Sequence, residues 1–160
     1  MDTHEPRWLN AEESQTWLSL AAMVINLSNA LDAQLLRDAG ISHFEYQVLA
    51  TLSEATERTM RMSDLAILTN GSLSRLSHVV KRLEKQGWVR RTPDPDNGRY
   101  TLAILTETGW EKVVATAPGH VEEVRRLVFD PLTQAQQRTL RAIGDRVNQA
   151  IDPTDACRPD

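Results

Sequence analysis

The sequence is poor in the residues that most catalytic and metal chemistry requires. It has one cysteine, Cys157, in a polar, proline-containing tail. A single thiol excludes an intramolecular disulfide and a zinc site built from cysteines. It fits a reducing compartment. The four histidines, His4, His43, His78 and His120, include no pair at ligand spacing, so no metal site is expected. No apolar run approaches the ~20 residues that a membrane helix needs, and residues 1–7 lack a signal-peptide pattern. There is no glycine-rich phosphate loop and no nucleophile with a base beside it. The expectation is a cytoplasmic protein with no membrane contact, no cofactor and no catalytic activity.

An overall excess of positive charge is also missing: 18 basic against 22 acidic side chains leave a net charge of −4, so the whole protein is not a polycation. The charge distribution is uneven. Residues 72–99 hold seven basic side chains and three acidic ones, a net of +4, which leaves the remainder at −8. A basic island in an acidic body suits contact with a polyanion on one face; an ordinary solvated charge run gives the same count. A length of 160 residues allows one domain, or a small reading module joined to an assembly module.

The island lies inside an ordered series of short elements. Residues 62–68 read as a helix, 69–72 as a tight turn and 73–86 as a second helix ended by Gly87. Residues 88–92 and 100–105 alternate like strands, joined by the turn-forming run 93–99. This order predicts a winged helix-turn-helix, with the second helix offered to a DNA major groove. In that helix Leu76, Val79, Val80 and Leu83 fall within roughly 100° of one another and face inward. Ser74, His78, Lys81 and Lys85 then face outward, with Arg75 and Arg82 on one flank and Ser77 on the other. Ser72 is placed to cap the helix, whose free amides add a weak anion site.

Arg75 is the leading candidate for base recognition. Its fork can donate twice to guanine O6 and N7, worth roughly 1–3 kcal/mol of discrimination. A phosphate clamp or a salt bridge is the competing use. Ser74, Ser77 and His78 are candidates for base or phosphate contacts. Lys81, Arg82 and Lys85 lie further from the tip and suit the backbone. Arg99 tops the hairpin, where a guanidinium can enter a minor groove or meet a phosphate. Asp96 and Asn97 are candidates to hold it.

The flanks read differently. Asn10 caps a helix to about Asp38, closed by Gly40, with Trp17, Leu20, Val24, Leu27, Leu31 and Leu35 on one stripe. Leu18, Met23 and Ile25 lie off it, so this helix needs a second surface to bury. Ser42 and Glu45 form a capping box that opens a helix to about Ala55. Residues 56–61 read as a polar connector. Thr106 caps a further helix, in which Pro118-Gly119 predicts a kink or break near Ala117. Thr133 and Gln136 open a last helix to about Ile151, lined by Leu140, Ile143 and Val147. The expected division is an arm and dimerisation helix over 1–40, the winged helix-turn-helix over 41–106, C-terminal dimerisation helices over 107–151 and a flexible tail over 152–160.

Leu65-Ala66, Ser72-x-Ser-Arg-Leu-Ser77, Arg82-Leu-Glu84, Gly87-Trp-Val-Arg90, Asn97-Gly-Arg99 and Leu105-Thr-x-x-Gly109, in this order, resemble the MarR family of bacterial transcriptional regulators. The likeness is strongest from about residue 42 to 114. It implies a mainly α-helical homodimer with a small β-hairpin wing, in which the terminal helices of both chains interlock and double-stranded DNA is bound at a pseudo-palindromic operator. By motif, 72–78 becomes the base-reading end and Arg99 the wing arginine. The family's wing usually has Asp-x-Arg; here Asn97 takes the first position. The resemblance further implies repression relieved by a small phenolic or lipophilic effector, for which Trp17, Phe44, Tyr46 and Trp110 are candidate cleft residues. Aromatics at helical spacing also serve as plain core. Peroxide sensing by a cysteine near the first helices does not carry over, since Cys157 is at the other end. The net acidic charge supports one other reading, a winged helix that binds protein and no longer binds DNA.

Overall fold

The computed structural model describes residues 5–152; His4 and Cys157 lie outside them. The chain divides into two compact units, one reaching to His120 and one starting at Val121.

In the first unit, helix α1 (Ala11–Ala39) starts at Asn10 with a capping box: the Asn10 side chain accepts from the Glu13 amide, and the Glu13 carboxylate accepts from the Asn10 amide. It ends at Gly40, which adopts the left-handed conformation at φ 68°. Only the C-terminal end of its apolar stripe, at Leu31 and Leu35, is buried; Trp17 and Val24 are exposed. Helix α2 (His43–Glu54) starts with the Ser42–Glu45 capping box and buries Phe44, Val48, Leu49 and Leu52.

Residues 56–61 are more than a connector. Thr56–Arg58 forms a 3-10 turn, and Thr59–Arg61 is a strand, β1. Glu57 and Arg58 both take positive φ, near 52° and 53°. The Arg58 guanidinium lies 4.3 Å over the Trp110 ring and pairs with Glu107 at 2.9 Å, which holds this turn in a sparsely populated conformation. Helices α3 (Met62–Leu68) and α4 (Leu73–Lys85) follow, then strands β2 (Val89–Pro93) and β3 (Thr101–Leu105). The expected two-stranded hairpin is therefore part of a three-stranded antiparallel sheet of order β1-β3-β2, in which Met60 pairs with Ala103 and Arg91 with Ala103 from the other side. Three residues gave too short a pattern for β1 to show in the sequence.

Leu35, Leu49, Leu52, Leu65, Leu76, Val80, Leu83, Val89 and Leu105 form one core beneath these elements. Helix α5 (Glu107–Val124) is anchored at its start. The Thr106 hydroxyl accepts from the Gly109 amide and donates to the Gly87 carbonyl at 2.6 Å, and the Thr108 hydroxyl donates to the same carbonyl at 2.9 Å. A Cβ on Gly109 would lie 2.1 Å from the Trp88 carbonyl oxygen, so only glycine permits this approach. Of the kink or break expected near Ala117, the break does not occur: Pro118 sits inside a continuous helix. The Thr116 hydroxyl donates to the Lys112 carbonyl in the turn before it.

The second unit holds the end of α5, a π-helical turn at Arg125–Phe129 and helix α6 (Gln134–Ile151). Thr133 and Gln136 make the expected capping box. The Gln137 amide donates to the Phe129 and Leu132 carbonyls and fastens the turn to α6. No residue of α6 is buried. Among the described residues no helix is long and apolar enough to cross a membrane.

Candidate nucleic-acid interface

Helix α4 is strongly two-faced. Leu76, Val79, Val80 and Leu83 are buried, as their spacing predicts, and Ser74, Arg75, His78, Lys81, Arg82 and Lys85 are exposed. Ser77 lies between, half-buried. The Ser72 hydroxyl accepts from the Arg75 amide at 3.1 Å and so caps the helix. The turn before it needs one left-handed residue, which is Asn70 at φ 50°.

The basic side chains differ in what already occupies them. Arg82 donates from Nε to Glu45 on α2 at 3.0 Å. Arg91 grips Glu84 through Nε and a terminal nitrogen at 3.0 and 2.7 Å, which holds the Glu84 carboxyl below its usual range. Arg75, Lys81, Lys85, Arg90 and Arg99 have no carboxylate partner among the described residues. These five cations are available to an external anion. Arg90 was not singled out in the sequence; its exposure on β2 next to buried Val89 follows from strand alternation. The Arg75 guanidinium lies 4.0 Å over the face of Phe44.

The wing is braced from its base. Asp94, expected only as a turn residue, is 5 % exposed and accepts from Arg61 at 2.8 Å and from the Asp96 amide at 3.0 Å. Those bonds, the Asp96 amide first, hold its carboxyl below the usual range. Arg61 also lies 4.5 Å over the Tyr100 ring. The Asn97 side chain accepts from the Arg99 amide at 3.2 Å. Asn97 thus shapes the backbone of the tip, Asp96 supplies its amide to Asp94, and the Arg99 side chain has no ion pair among the described residues. Arg61 and Asp94 escaped the sequence reading because they are 33 residues apart and meet only once β1 joins the sheet.

The four aromatics proposed for a cleft have separate surroundings. Phe44 is in the core and beneath Arg75, Trp110 lies under Arg58, and Tyr46 tilts against His120 with ring centroids 4.7 Å apart. Trp17 lines a shallow depression with Asn10, Glu13 and Leu20. A polar cavity of about 510 Å³ does lie beside the start of α4. It is lined by Asp32, Ser42, His43, Phe44, Asn70 and Arg75, with others. His43 and His120, far apart in sequence, have ring centroids 5.6 Å apart. Burial pushes both imidazoles down; Asp32 opposes this at His43, and His43 adds to it at His120. No group of three metal-ligating side chains occurs among the described residues.

Comparison with known proteins gives the same outline. The sequence model of the MarR family matches residues 41–101. A MarR family transcriptional regulator from Streptomyces coelicolor, solved in complex with DNA, is 46 % identical, with 96 % of each chain covered and a TM-score of 0.91. AbsC, a MarR family transcriptional regulator from the same organism, is 34 % identical over 91 % of this chain and 98 % of its own, with a TM-score of 0.86. YdcH, an HTH-type transcriptional regulator of Bacillus subtilis (strain 168), is 31 % identical over 96 residues, which are 59 % of this chain and 65 % of YdcH. With its buried Leu76–Leu83 arc, braced wing and near full-length likeness to two such proteins, the chain belongs to the MarR family of transcriptional regulators.

Proposed function

We propose that the protein is a cytoplasmic homodimer that binds double-stranded DNA sequence-specifically at a pseudo-palindromic operator and represses transcription. The observation that carries this reading is the outer face of α4: capped at Ser72, backed by a packed core and presenting Arg75, His78 and Lys81 with no acidic partner among the described residues. The DNA-bound state of the 46 % identical relative supports it. Two copies are required because one helix reads too few base pairs for a unique site; half-sites lie about 10 bp apart. Exposed apolar side chains of α1 and α6, on and beside their stripes, supply the assembly surface: Leu18, Ile25, Ile143 and Ile151 are all more than half exposed. The division into dimerisation helices and a reading module follows from this.

In this reading Arg75 and the Ser72–His78 end of α4 meet bases, Lys81 meets phosphate, and Arg99 reaches the minor groove or its phosphates. Arg82 contributes to the extent that DNA competes with Glu45. The effector, if of the phenolic class, suits the cavity beside Arg75, where polar lining from Asp32, Ser42 and Asn70 favours a hydroxyl over a hydrocarbon.

Selection of bound fragments from random duplexes, followed by binding measurements, tests the reading. Arg75→Ala is expected to relax base preference, and Lys81→Ala to weaken all sequences alike and reduce the salt slope by about one. Failure to bind any duplex at low salt would favour the protein-interaction reading that the net charge of −4 suggests.

A further inference from the structure

Phe44 has two neighbours that nothing in a hydrophobic core requires. Its ring edge meets the turn before α4 so closely that a Cβ on Gly71 would lie 2.7 Å from Cζ and 3.1 Å from Cε2. Its ring face carries the Arg75 guanidinium at 4.0 Å. One buried ring, 8 % exposed, therefore touches both the turn that aims α4 and the arginine at its tip. The amide of Gly71 is fixed in turn by the Ala66 carbonyl at 2.9 Å, and that of Arg75 by the Ser72 hydroxyl.

The consequence is geometric. A guanidinium held over a ring face is attracted by the ring's quadrupole, which restricts where its charged head can sit. Among the described residues Arg75 has no carboxylate partner, so its N–H donors are not satisfied by an ion pair. A bidentate contact to a base edge needs a head held in place with two free, parallel donors. An arginine on an unsupported stem must lose its rotamer freedom on binding, whereas one already stacked has lost part of it beforehand.

We propose that Phe44 is a positioning residue for DNA recognition, which holds the Arg75 fork pre-oriented and thereby sets sequence selectivity without touching DNA. The inference rests on the assignment of Arg75 to base reading. It also gives Phe44 a role other than that of a ligand-cleft wall.

The test is a double-mutant cycle in the full chain with Phe44→Leu, Phe44→Tyr and Arg75→Ala. The readout is the ratio of affinities for a selected operator and a random duplex at one salt concentration. Phe44→Leu keeps an apolar side chain and removes the ring face; it is expected to lower the ratio about 3- to 10-fold, the range a single cation–π contact can supply. Affinity for random DNA should change little. Phe44→Tyr, which keeps the face, should retain the selectivity. In the Arg75→Ala background Phe44→Leu should have no further effect on the ratio. Equal losses with and without Arg75 would mean that the ring merely supports the fold, and would overturn the inference. If Arg75→Ala alone leaves the ratio unchanged, the base-reading assignment falls first and the inference with it. If Arg75→Ala lowers the ratio and a folded Phe44→Leu does not, only the inference falls. NMR of the unmodified protein gives an independent check: the Arg75 side-chain N–H and δ-methylene protons should be shifted upfield by the ring, and unshifted resonances would overturn the stacking.

Discussion

The winged module and the terminal helices use the same device, an apolar stripe at helical spacing, and finish in different states. In the module the stripe of α4 meets α3, β2 and the rest of a shared core, and Leu76, Val80 and Leu83 are essentially inaccessible. In α6 an equally regular stripe stays open: Ile143 is 52 % and Ile151 is 75 % exposed. Helix α1 contains both states, sealed at Leu35 and open at Trp17. Periodicity identifies the face of a helix that avoids water, but not what covers it. The module closes on itself because several short elements converge on one core. Long single helices cannot do this alone.

That contrast can be broken by substitution. The largest effect is expected at Leu76→Ala, which opens a cavity in a filled core and should cost about 2–5 kcal/mol in chemical denaturation. Ile151→Ala, at the open end, should stay within about 0.5 kcal/mol for the folding of one chain. If α6 is an assembly surface, its effect should instead depend on protein concentration. A cost equal to that of Leu76→Ala at every concentration would erase the distinction. Gly109→Ala comes next. Its Cβ would meet backbone, at Trp88, and backbone cannot swing away as a long side chain can, so about 1–3 kcal/mol is expected from the melting midpoint.

The smallest effect is one of pH. His43 and His120 are both held below the ordinary value of 6.5 in the folded chain. The unfolded chain therefore takes up protons first as pH falls through that value, and stability declines from there down to the lowered folded values. Above that window both forms are neutral and no dependence arises from these groups. The lowered carboxyls of Asp94 and Glu84 act separately, and their contribution is lost only at lower pH, below the ordinary carboxylate range. A melting series should show the midpoint falling as pH drops below about 6.5, with a smaller fall in His120→Gln. A flat profile from pH 7.5 to 5.5, conditions chosen to bracket the ordinary histidine value, would contradict the burial of this pair.

Much of the architecture was legible because local signals agreed with the tertiary outcome. The capping boxes at Ser42 and Thr133, the left-handed Gly40 and Gly87, and the inward arc of α4 each stand where the residue types demand. The misses share a cause. Strand β1 is stabilised by its register with β3, more than 40 positions later, and carries little local pattern. Pro118 removes one helical donor, but this does not end the helix, which runs on to Val124. At the interface the exposed side of α4 was readable from spacing. The pairing of Arg82 with Glu45, the bracing of Asp94 by Arg61 and the meeting of His43 with His120 were not, since each joins elements whose approach only the fold determines.

The carbonyl of Gly87 accepts two threonine hydroxyls from the first turn of α5. The end of α4 and the root of α5 consequently share one anchor, with the Trp88 backbone pressed against Gly109. A change in the seating of α5 is therefore expected to reach α4 through this shared carbonyl. In the proposed DNA-bound state the angle at which α4 is presented would then depend on the α5 scaffold as much as on α4 itself.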